Sequence, residues 1–215
     1  VFHRVVEGGA GAPGLDLGQP PGQRVVVLHH DARVSRERLG PARGQMELLL
    51  ARVDPHVLEP DHEVGVTRPA QPDDALWQEL LAFNLTGTFN CPRAALPALV
   101  EASAGLIVNV ASTAGLVGYP YVAAYCASKH GVIGLTRALA HDLAPHQITV
   151  NCVAPGLVDT ARSGPEPSHH KSLVTPVGRK GRPEEIAALV RVLCGPGARY
   201  ITGQTIHANG GLYMA

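Results

Sequence analysis

Apolar and polar positions follow a regular order from about residue 65 to the C terminus. Two near-continuous apolar runs, at residues 105–112 and 147–156, are typical of strands covered on both faces of a sheet. A last short strand with its turn is predicted at residues 201–211. Three longer segments are typical of helices, and they span residues 73–102, with a break expected near Pro92, 122–144 and 182–194. This alternation predicts an α/β fold in which a parallel sheet carries helices on both faces.

The first 64 residues have a different pattern. Glycine, proline, arginine and histidine are dense there, and hydrophobic periodicity is poor. Residues 24–30 predict a buried strand, residues 44–53 a short helix, and residues 54–64 a strand-like centre between two prolines. We find no internal repeat and no inter-domain linker. We therefore expect one domain over residues 1–215, with a divergent part at 1–64 and a regular part at 65–215.

Composition and charge exclude several classes of function. The chain has 18 basic and 18 acidic side chains and no basic stripe, which disfavours a nucleic-acid partner. We find no signal peptide and no membrane-spanning run. The cysteines are widely spaced without a CxxC pair, which disfavours a disulfide framework and fits a reduced cytoplasmic setting. They are Cys91, Cys126, Cys152 and Cys194. The histidine doublets at 29–30 and 169–170 lack a carboxylate or cysteine at ligand spacing, so no metal site is predicted.

Candidate chemistry gathers at one edge of the predicted sheet. Ser112 ends one predicted strand and Pro155-Gly156 ends the next, so both belong at the carboxyl edge, where parallel sheets bind ligands. Tyr125 begins the intervening helix, and Lys129 follows it on the same helical face. An ammonium beside a phenol lowers the pKa of the tyrosine, which lets it exchange a proton with a carbonyl or alcohol. Such a site suits hydride transfer, in which a cofactor performs the hard step.

These motifs together resemble the short-chain dehydrogenase/reductase family. That family places a serine just past a strand, then a tyrosine and a lysine in this register, then a strand ending in Asn-x-x-x-Pro-Gly. Here these are Ser112, Tyr125, Lys129 and the run NCVAPGLVDT from 151 to 160. The segments NLTGTF, from Asn84, and TGQTIHANGG, near the C terminus, also match. The resemblance covers residues 65–215 and implies a single Rossmann-like, doubly wound domain.

The resemblance implies a role for each matched residue. Tyr125 would be the general acid or base, and Lys129 would lower its pKa and hold the ribose hydroxyls of the cofactor, NAD or NADP. Ser112 would orient the substrate carbonyl or hydroxyl. Asn84 would keep a helix distorted so that a water joins Lys129 to solvent; the alternative is an ordinary polar residue inside a helix. The residues expected to line the nicotinamide are Pro155, Gly156, Val158 and Thr160.

The cofactor-binding half departs from the family pattern. The family has a Thr-Gly-x-x-x-Gly-x-Gly turn after its first strand, and the nearest match here is VVEGGAGAPG, with Gly8 and Gly14 in register. Glu7 replaces the threonine, and an acid is unfavourable beside an anionic pyrophosphate. Pro13 stands where an aliphatic residue is expected. Two explanations remain open: a divergent cofactor site that still folds, or a segment altered by frame errors or deletions.

Specificity and assembly are less determined by the motifs. The position that selects NAD or NADP in the family falls near His29, where Asp31 and Arg33 give conflicting signals. Residues 113–121 and 161–175 would shape the substrate pocket. Small residues along the predicted helix at 122–144 permit close helix approach, either inside one subunit or in a homodimer or homotetramer.

We therefore predict an oxidoreductase that interconverts a ketone and a secondary alcohol with a nicotinamide cofactor. The segment AAYCASKHGVIGLTRALA and the ending NGGLYMA resemble the 3-oxoacyl-thioester reductase branch, which implies a small carbonyl substrate such as an acyl thioester. The alternative is a catalytically impaired homologue, a pseudoenzyme or partner subunit that binds cofactor weakly. A hydrolase with Ser112 as nucleophile is disfavoured because no Gly-x-Ser-x-Gly elbow surrounds that serine.

Overall fold

The computed structural model describes residues 25–28, 48–50, 74–102, 105–120, 122–159 and 175–215. Within these ranges the strands are β1 (Val25–Leu28), β2 (Leu48–Leu50), β3 (Leu106–Val110), β4 (Thr149–Pro155) and β5 (Thr205–Ala208). The α-helices are α1 (Asp74–Leu81), α2 (Gly87–Glu101), α3 (Ala123–Leu143) and α4 (Pro183–Cys194). A π-helical turn, Ala82–Thr86, joins α1 to α2.

The strands form one parallel sheet in the order β2-β1-β3-β4-β5. The chain leaves β1 toward β2 on one side, then crosses to β3 and continues through β4 to β5 on the other. The strand order therefore reverses between β1 and β3. In open parallel sheets, ligands bind outside the carboxyl ends of the strands at such a reversal. The sheet thus places a ligand crevice beside the end of β3.

Helices cover both faces of the sheet, as the sequence predicts. Alternate residues of a strand point to opposite faces. Ile107 of β3 packs with α2 and α3 in one buried cluster, whereas Leu106 and Val108 pack with α4 in another. The predicted doubly wound α/β fold is confirmed. Among the described helices, we find none that combines the length and apolar character needed to cross a membrane.

Two local predictions were wrong. Residues 44–53 were expected to form a short helix, but Leu48–Leu50 is the edge strand β2, paired in register with Val25–Val27. Leucine is a good helix former, but intrinsic helix propensity is a small free-energy preference, and sheet pairing outweighs it here. The segment 73–102 was expected to break near Pro92, but the irregular turn lies earlier, at residues 82–86, and Pro92 is inside α2. The strand-like centre predicted at 54–64 lies outside the described residues.

Candidate active site

The loop after β3 is tied to the end of β4. Ser112 directly precedes a 3₁₀ turn, Thr113–Gly115, and its hydroxyl oxygen accepts a hydrogen bond from the Ala114 N–H at 3.2 Å. The Thr113 hydroxyl donates to the Pro155 carbonyl at 3.0 Å. The structure therefore brings Ser112 and Pro155 to the same carboxyl edge of the sheet, as expected from the ends of parallel strands.

Lys129 is fully buried, with 0% of its surface exposed. Its ammonium Nζ donates to the Val110 carbonyl at 3.2 Å and lies 5.7 Å from the centroid of the Tyr125 ring. A buried charge is costly unless polar groups replace its hydration, and a carbonyl and an aromatic face both serve a cation. Tyr125 is half-buried against an apolar cluster, which includes Ala114 and Val122. The predicted pair therefore meets at the end of β3.

Asn84 lies inside the π-helical turn and is 2% exposed. Its side-chain amide Nδ2 donates to the Ser128 hydroxyl at 3.0 Å, and that hydroxyl donates to the Tyr125 carbonyl at 2.8 Å. The Asn84 carbonyl accepts from the Thr88 hydroxyl at 2.6 Å. Helix distortion at Asn84 is thus present, and its side chain connects the distorted turn to the α3 segment that carries Tyr125 and Lys129. A part for Asn84 in proton relay stays a prediction.

Two glycines allow these elements to approach closely. A Cβ added at Gly115 would lie 2.7 Å from the Lys129 carbonyl oxygen, and one at Gly131 would lie 2.8 Å from Cδ2 of Leu85 in the π-helical turn. Both distances are too short for real side chains. The backbone of α3 is therefore packed directly between the loop after β3 and the distorted turn, which restricts its movement relative to both.

The residues predicted to line a cofactor are only partly described. Gly156 donates its N–H to the Ala208 carbonyl at 3.1 Å, and an added Cβ would lie 2.8 Å from Cα of Asn209. Val158 forms a bridge with Gly181 and packs against the α4 cluster. Gly8, Gly14, Thr160 and the position near His29 lie outside the described residues.

Sequence reasoning missed the connecting roles of Ser128 and Thr113. Ser128 is one of the small residues of the helix predicted at 122–144, yet it is fully buried and hydrogen-bonded both to the π-helical turn and to Tyr125 of its own helix. A hydroxyl on the inner face of a helix was the available signal.

Burial raises the pKa of the nearby Cys152 thiol to about 11, and the charge of Lys129 offsets this only in part. Cys152 is therefore a protonated thiol at neutral pH.

Comparison with known proteins agrees with this geometry. The family model described as enoyl-(acyl carrier protein) reductase matches residues 62–213. The chain belongs to the short-chain dehydrogenase/reductase family. Over 141 residues it is 43% identical to the 3-oxoacyl-[acyl-carrier-protein] reductase FabG of Staphylococcus aureus. This alignment covers 64% of the present chain and 57% of the Staphylococcus aureus protein. Over 150 residues it is 41% identical to nodulation protein G of Rhizobium meliloti, which covers 67% and 59%.

Solved structures of the family are similar in fold. A 3-oxoacyl-[acyl-carrier protein] reductase from Brucella melitensis superposes with a TM-score of 0.67 at 38% identity, covering 74% of this chain and 60% of that one. A reductase from the same organism with bound NAD gives a TM-score of 0.66 at 39% identity, again covering 74% and 60%. This chain therefore spans about three fifths of the length of the relatives that it matches.

Proposed function

We propose that this short-chain dehydrogenase/reductase interconverts a ketone and a secondary alcohol by hydride transfer with a nicotinamide cofactor. The observation that carries the proposal is the fully buried Lys129 ammonium beside the Tyr125 ring at the carboxyl edge of the sheet. A lysine kept for solubility or surface charge would stay in water, because desolvating an ammonium is costly. Its burial here makes sense if its charge acts on the neighbouring phenol.

In the proposed mechanism, Tyr125 exchanges a proton with the substrate oxygen. The Lys129 ammonium favours the phenolate form, so the phenol gives up its proton to a forming alkoxide more readily than a free tyrosine would. The Ser112 hydroxyl, beside the same edge, orients the substrate oxygen. Asn84 and Ser128 fix the first turns of α3, so that Tyr125 keeps its position while the proton moves.

The described residues fit the nicotinamide end of such a cofactor. Lys129 and Tyr125 supply donors of the kind that ribose hydroxyls accept, and they stand next to the reversal of strand order between β1 and β3. We assign the ribose contacts to these two residues and the nicotinamide wall to Pro155, Gly156 and Val158. When bound, the cofactor supplies or accepts the hydride. We also assign Gly8, Gly14 and Thr160 to the proposed cofactor site; these three residues lie outside the part of the chain that the structure describes.

We propose a 3-oxoacyl thioester as the substrate class. The names of the relatives support this, since both the Staphylococcus aureus protein and the Brucella melitensis structure are named 3-oxoacyl-[acyl-carrier-protein] reductases. The sequence resemblance of residues 123–140 and of the C-terminal NGGLYMA points to the same branch.

The test has two stages. Titration of the purified protein with NADH and with NADPH, followed by nicotinamide fluorescence, first measures cofactor binding and preference. Reduction of acetoacetyl-coenzyme A is then measured for the native protein, for Tyr125→Phe and for Tyr200→Phe. Tyr200 is fully exposed, so its variant controls for loss of a phenol hydroxyl alone.

We expect Tyr125→Phe to lower kcat/KM by about 10²- to 10⁴-fold, because it removes the proton donor, and to weaken cofactor binding far less, because it removes only one of the assigned ribose contacts. Tyr200→Phe should behave as the native protein does. Full activity in Tyr125→Phe would refute the assigned role.

The second candidate is a homologue that keeps the fold but binds cofactor weakly. Two observations favour it: the family match begins only at residue 62, and the glycine-rich turn has Glu7 and Pro13 at unfavourable places. A folded protein that binds neither NADH nor NADPH would support this candidate over the enzyme.

We also propose that the chain assembles as a homodimer or homotetramer through α2 and α3. The small residues of α3 divide into two sets: Ala124 and Ser128 face inward, whereas Ala127 and Gly134 are exposed. A Cβ added at Gly134 would meet nothing within 4 Å. On α2, Phe89 is 42% exposed. Small and apolar side chains on a surface let a second helix approach closely, which is how symmetric oligomers often pair.

A further inference from the structure

A polar contact lies inside the apolar layer between the sheet and α3. Asn109 of β3 and Thr136 of α3 are both 0% exposed. The Asn109 side-chain amide Nδ2 donates to the Thr136 hydroxyl at 2.8 Å, and this hydroxyl donates to the Val132 carbonyl of its own helix at 2.8 Å. The Cys152 thiol also hydrogen-bonds with the Thr136 hydroxyl, and the neighbouring cluster, which includes Val132 and Ile133, is otherwise apolar.

This contact is costly where it stands. The other side-chain oxygen of Asn109, Oδ1, is buried without a hydrogen-bond partner among the described residues. Leaving a buried acceptor unpaired lowers stability, and an apolar residue of similar size would avoid that loss. The stability of the core therefore does not explain why an amide side chain stands at position 109. A role in fixing the placement of α3 on β3 explains it.

The contact is placed to control the catalytic pair. Asn109 directly precedes Val110, whose carbonyl holds the Lys129 ammonium. Thr136 is seven residues beyond Lys129 on α3, which is about two turns and hence the same helical face. β3 and α3 are thus joined at two polar points, Val110 with Lys129 near the sheet edge and Asn109 with Thr136 deeper in the layer.

Two polar contacts fix the position and rotation of α3 on the sheet, which apolar packing alone does not. Apolar contacts have little directional preference, so they allow a helix to slide or rotate slightly on a sheet, whereas hydrogen bonds are directional. The contacts of Ser128, Lys129 and Gly131 all hold the first turns of α3, so the later turns, held by apolar packing alone, could still pivot about them. The second contact removes that pivot.

We propose that the hydrogen bond between Asn109 and Thr136 positions α3 so that the Lys129 ammonium stays beside the Tyr125 ring. Asn109 and Thr136 are positioning residues, because neither is among the groups assigned to substrate or cofactor. The inference rests on the proposed function for the role of Tyr125, but its consequence is also visible in the ionisation of that phenol without any substrate.

The test compares three substitutions at two threonines. Thr136→Val removes the hydroxyl and keeps the shape, and Thr136→Ser keeps the hydroxyl. Thr149→Val is the matched control, because the Thr149 hydroxyl is buried near the opposite end of the sheet with no partner among the described residues. Each substitution is made with and without Tyr125→Phe, so that the difference in phenolate absorbance reports the titration of Tyr125 alone.

We expect Thr136→Val to move the titration of Tyr125 to higher pH, because its ring shifts away from the ammonium. It should lower kcat by about three- to tenfold, with the KM for acetoacetyl-coenzyme A changed less than about twofold. Thr136→Ser should restore both values, and Thr149→Val should change neither. A native titration and a native kcat in Thr136→Val would overturn the proposal, even if the protein is less stable.

Asn109→Leu removes the same hydrogen bond from the other side, so it decides the question if Thr136→Val does not fold. The double variant should be no more impaired than either single variant, as expected when both remove one shared contact. If the chain proves to have no reductase activity, the titration of Tyr125 still confirms or overturns the positioning role.

Discussion

At the scale of single residues, the environment of Lys129 decides what the site can do. An ordinary lysine keeps its ammonium in water, but this one is enclosed, with the Val110 carbonyl and the Tyr125 ring as its neighbours. Taking an ammonium out of water costs several kcal/mol. The local arrangement therefore has to favour the charge, and the proposed mechanism uses this charge to favour the phenolate of Tyr125.

Replacement of Lys129 by methionine tests this coupling. Lys129→Met keeps the apolar stem and removes the charge, so the pKa of Tyr125 should rise. In the proposed mechanism the phenolate is the active form for alcohol oxidation, so we expect the rising limb of the pH–rate profile to move to higher pH. The rate at neutral pH should fall by about 10²-fold or more. Steady-state oxidation rates over a range of pH measure both effects.

Arg191→Met provides the control, since Arg191 is exposed in the last turn of α4, and α4 packs on the face of the sheet opposite to α3. It should leave the pH–rate profile unchanged. If the rising limb of the pH–rate profile does not move in Lys129→Met, the Lys129 ammonium does not act on the Tyr125 phenol.

At the scale of elements, the start of α4 is held by one carboxylate. Glu185 accepts two hydrogen bonds from the Arg179 guanidinium, at 2.6 and 2.8 Å, and one from the Arg182 N–H at 2.7 Å. The Arg179 contact, followed by the Arg182 N–H, lowers the pKa of Glu185 from 4.5 to about 2. With Pro183 in the first turn, these contacts fix where the helix begins.

The depressed pKa gives the stability of α4 a defined pH dependence. A carboxyl whose pKa is lower in the folded state stabilises the fold fully above its unfolded value, here 4.5, and this stabilisation is lost as the pH falls toward about 2. Glu185→Gln should therefore lower the melting temperature at pH 6. The difference from the native protein should shrink between pH 4.5 and 2. Thermal unfolding followed by circular dichroism measures it.

Glu184→Gln is the matched control in the same helical turn. It removes an equal charge but leaves the Arg179 contact intact, so its effect should be smaller. A melting-temperature difference for Glu185→Gln that does not change with pH would contradict the assigned role of the carboxylate.

At the scale of the whole molecule, one face of the sheet carries the helices that we propose as an interface. Buried residues of α2 and α3 pack together on β3 and β4, while α4 packs on the opposite face. The exposed small and apolar residues of α2 and α3 therefore lie on the same side of the molecule, away from the α4 side.

A bulky charge at this face should disrupt assembly. We expect Ala127→Arg to lower the molar mass of the native oligomer, because a long charged side chain prevents close helix approach. Ala188→Arg makes the same change at an exposed position of α4 and should have no effect. Size-exclusion chromatography with light scattering measures the mass. A monomeric native protein, or an unchanged mass for Ala127→Arg, would refute the interface.

Features that depend on residues close together in the chain could be predicted from the amino-acid sequence. The spacing of Tyr125 and Lys129 is set by one helical turn, so their placement on one face follows from the chain alone. The strands at 105–112 and 147–156 were predictable because burial on both faces demands continuous apolar residues. The positions of Ser112 and Pro155 followed, since parallel strands end at one edge.

Features that depend on contacts between residues far apart in the chain became visible in the folded structure. β2 is a strand because it pairs with β1, which outweighs a local preference for helix. The π-helical turn could be connected to the site only through the hydrogen bond between Asn84 and Ser128, which lie 44 positions apart in the chain. Asn109 looked like one more residue of a buried strand, and its partner Thr136 lies on another element. Such contacts form only when the chain folds. Local residue spacing does not tell which element will pack against which, so they could not be predicted from the sequence.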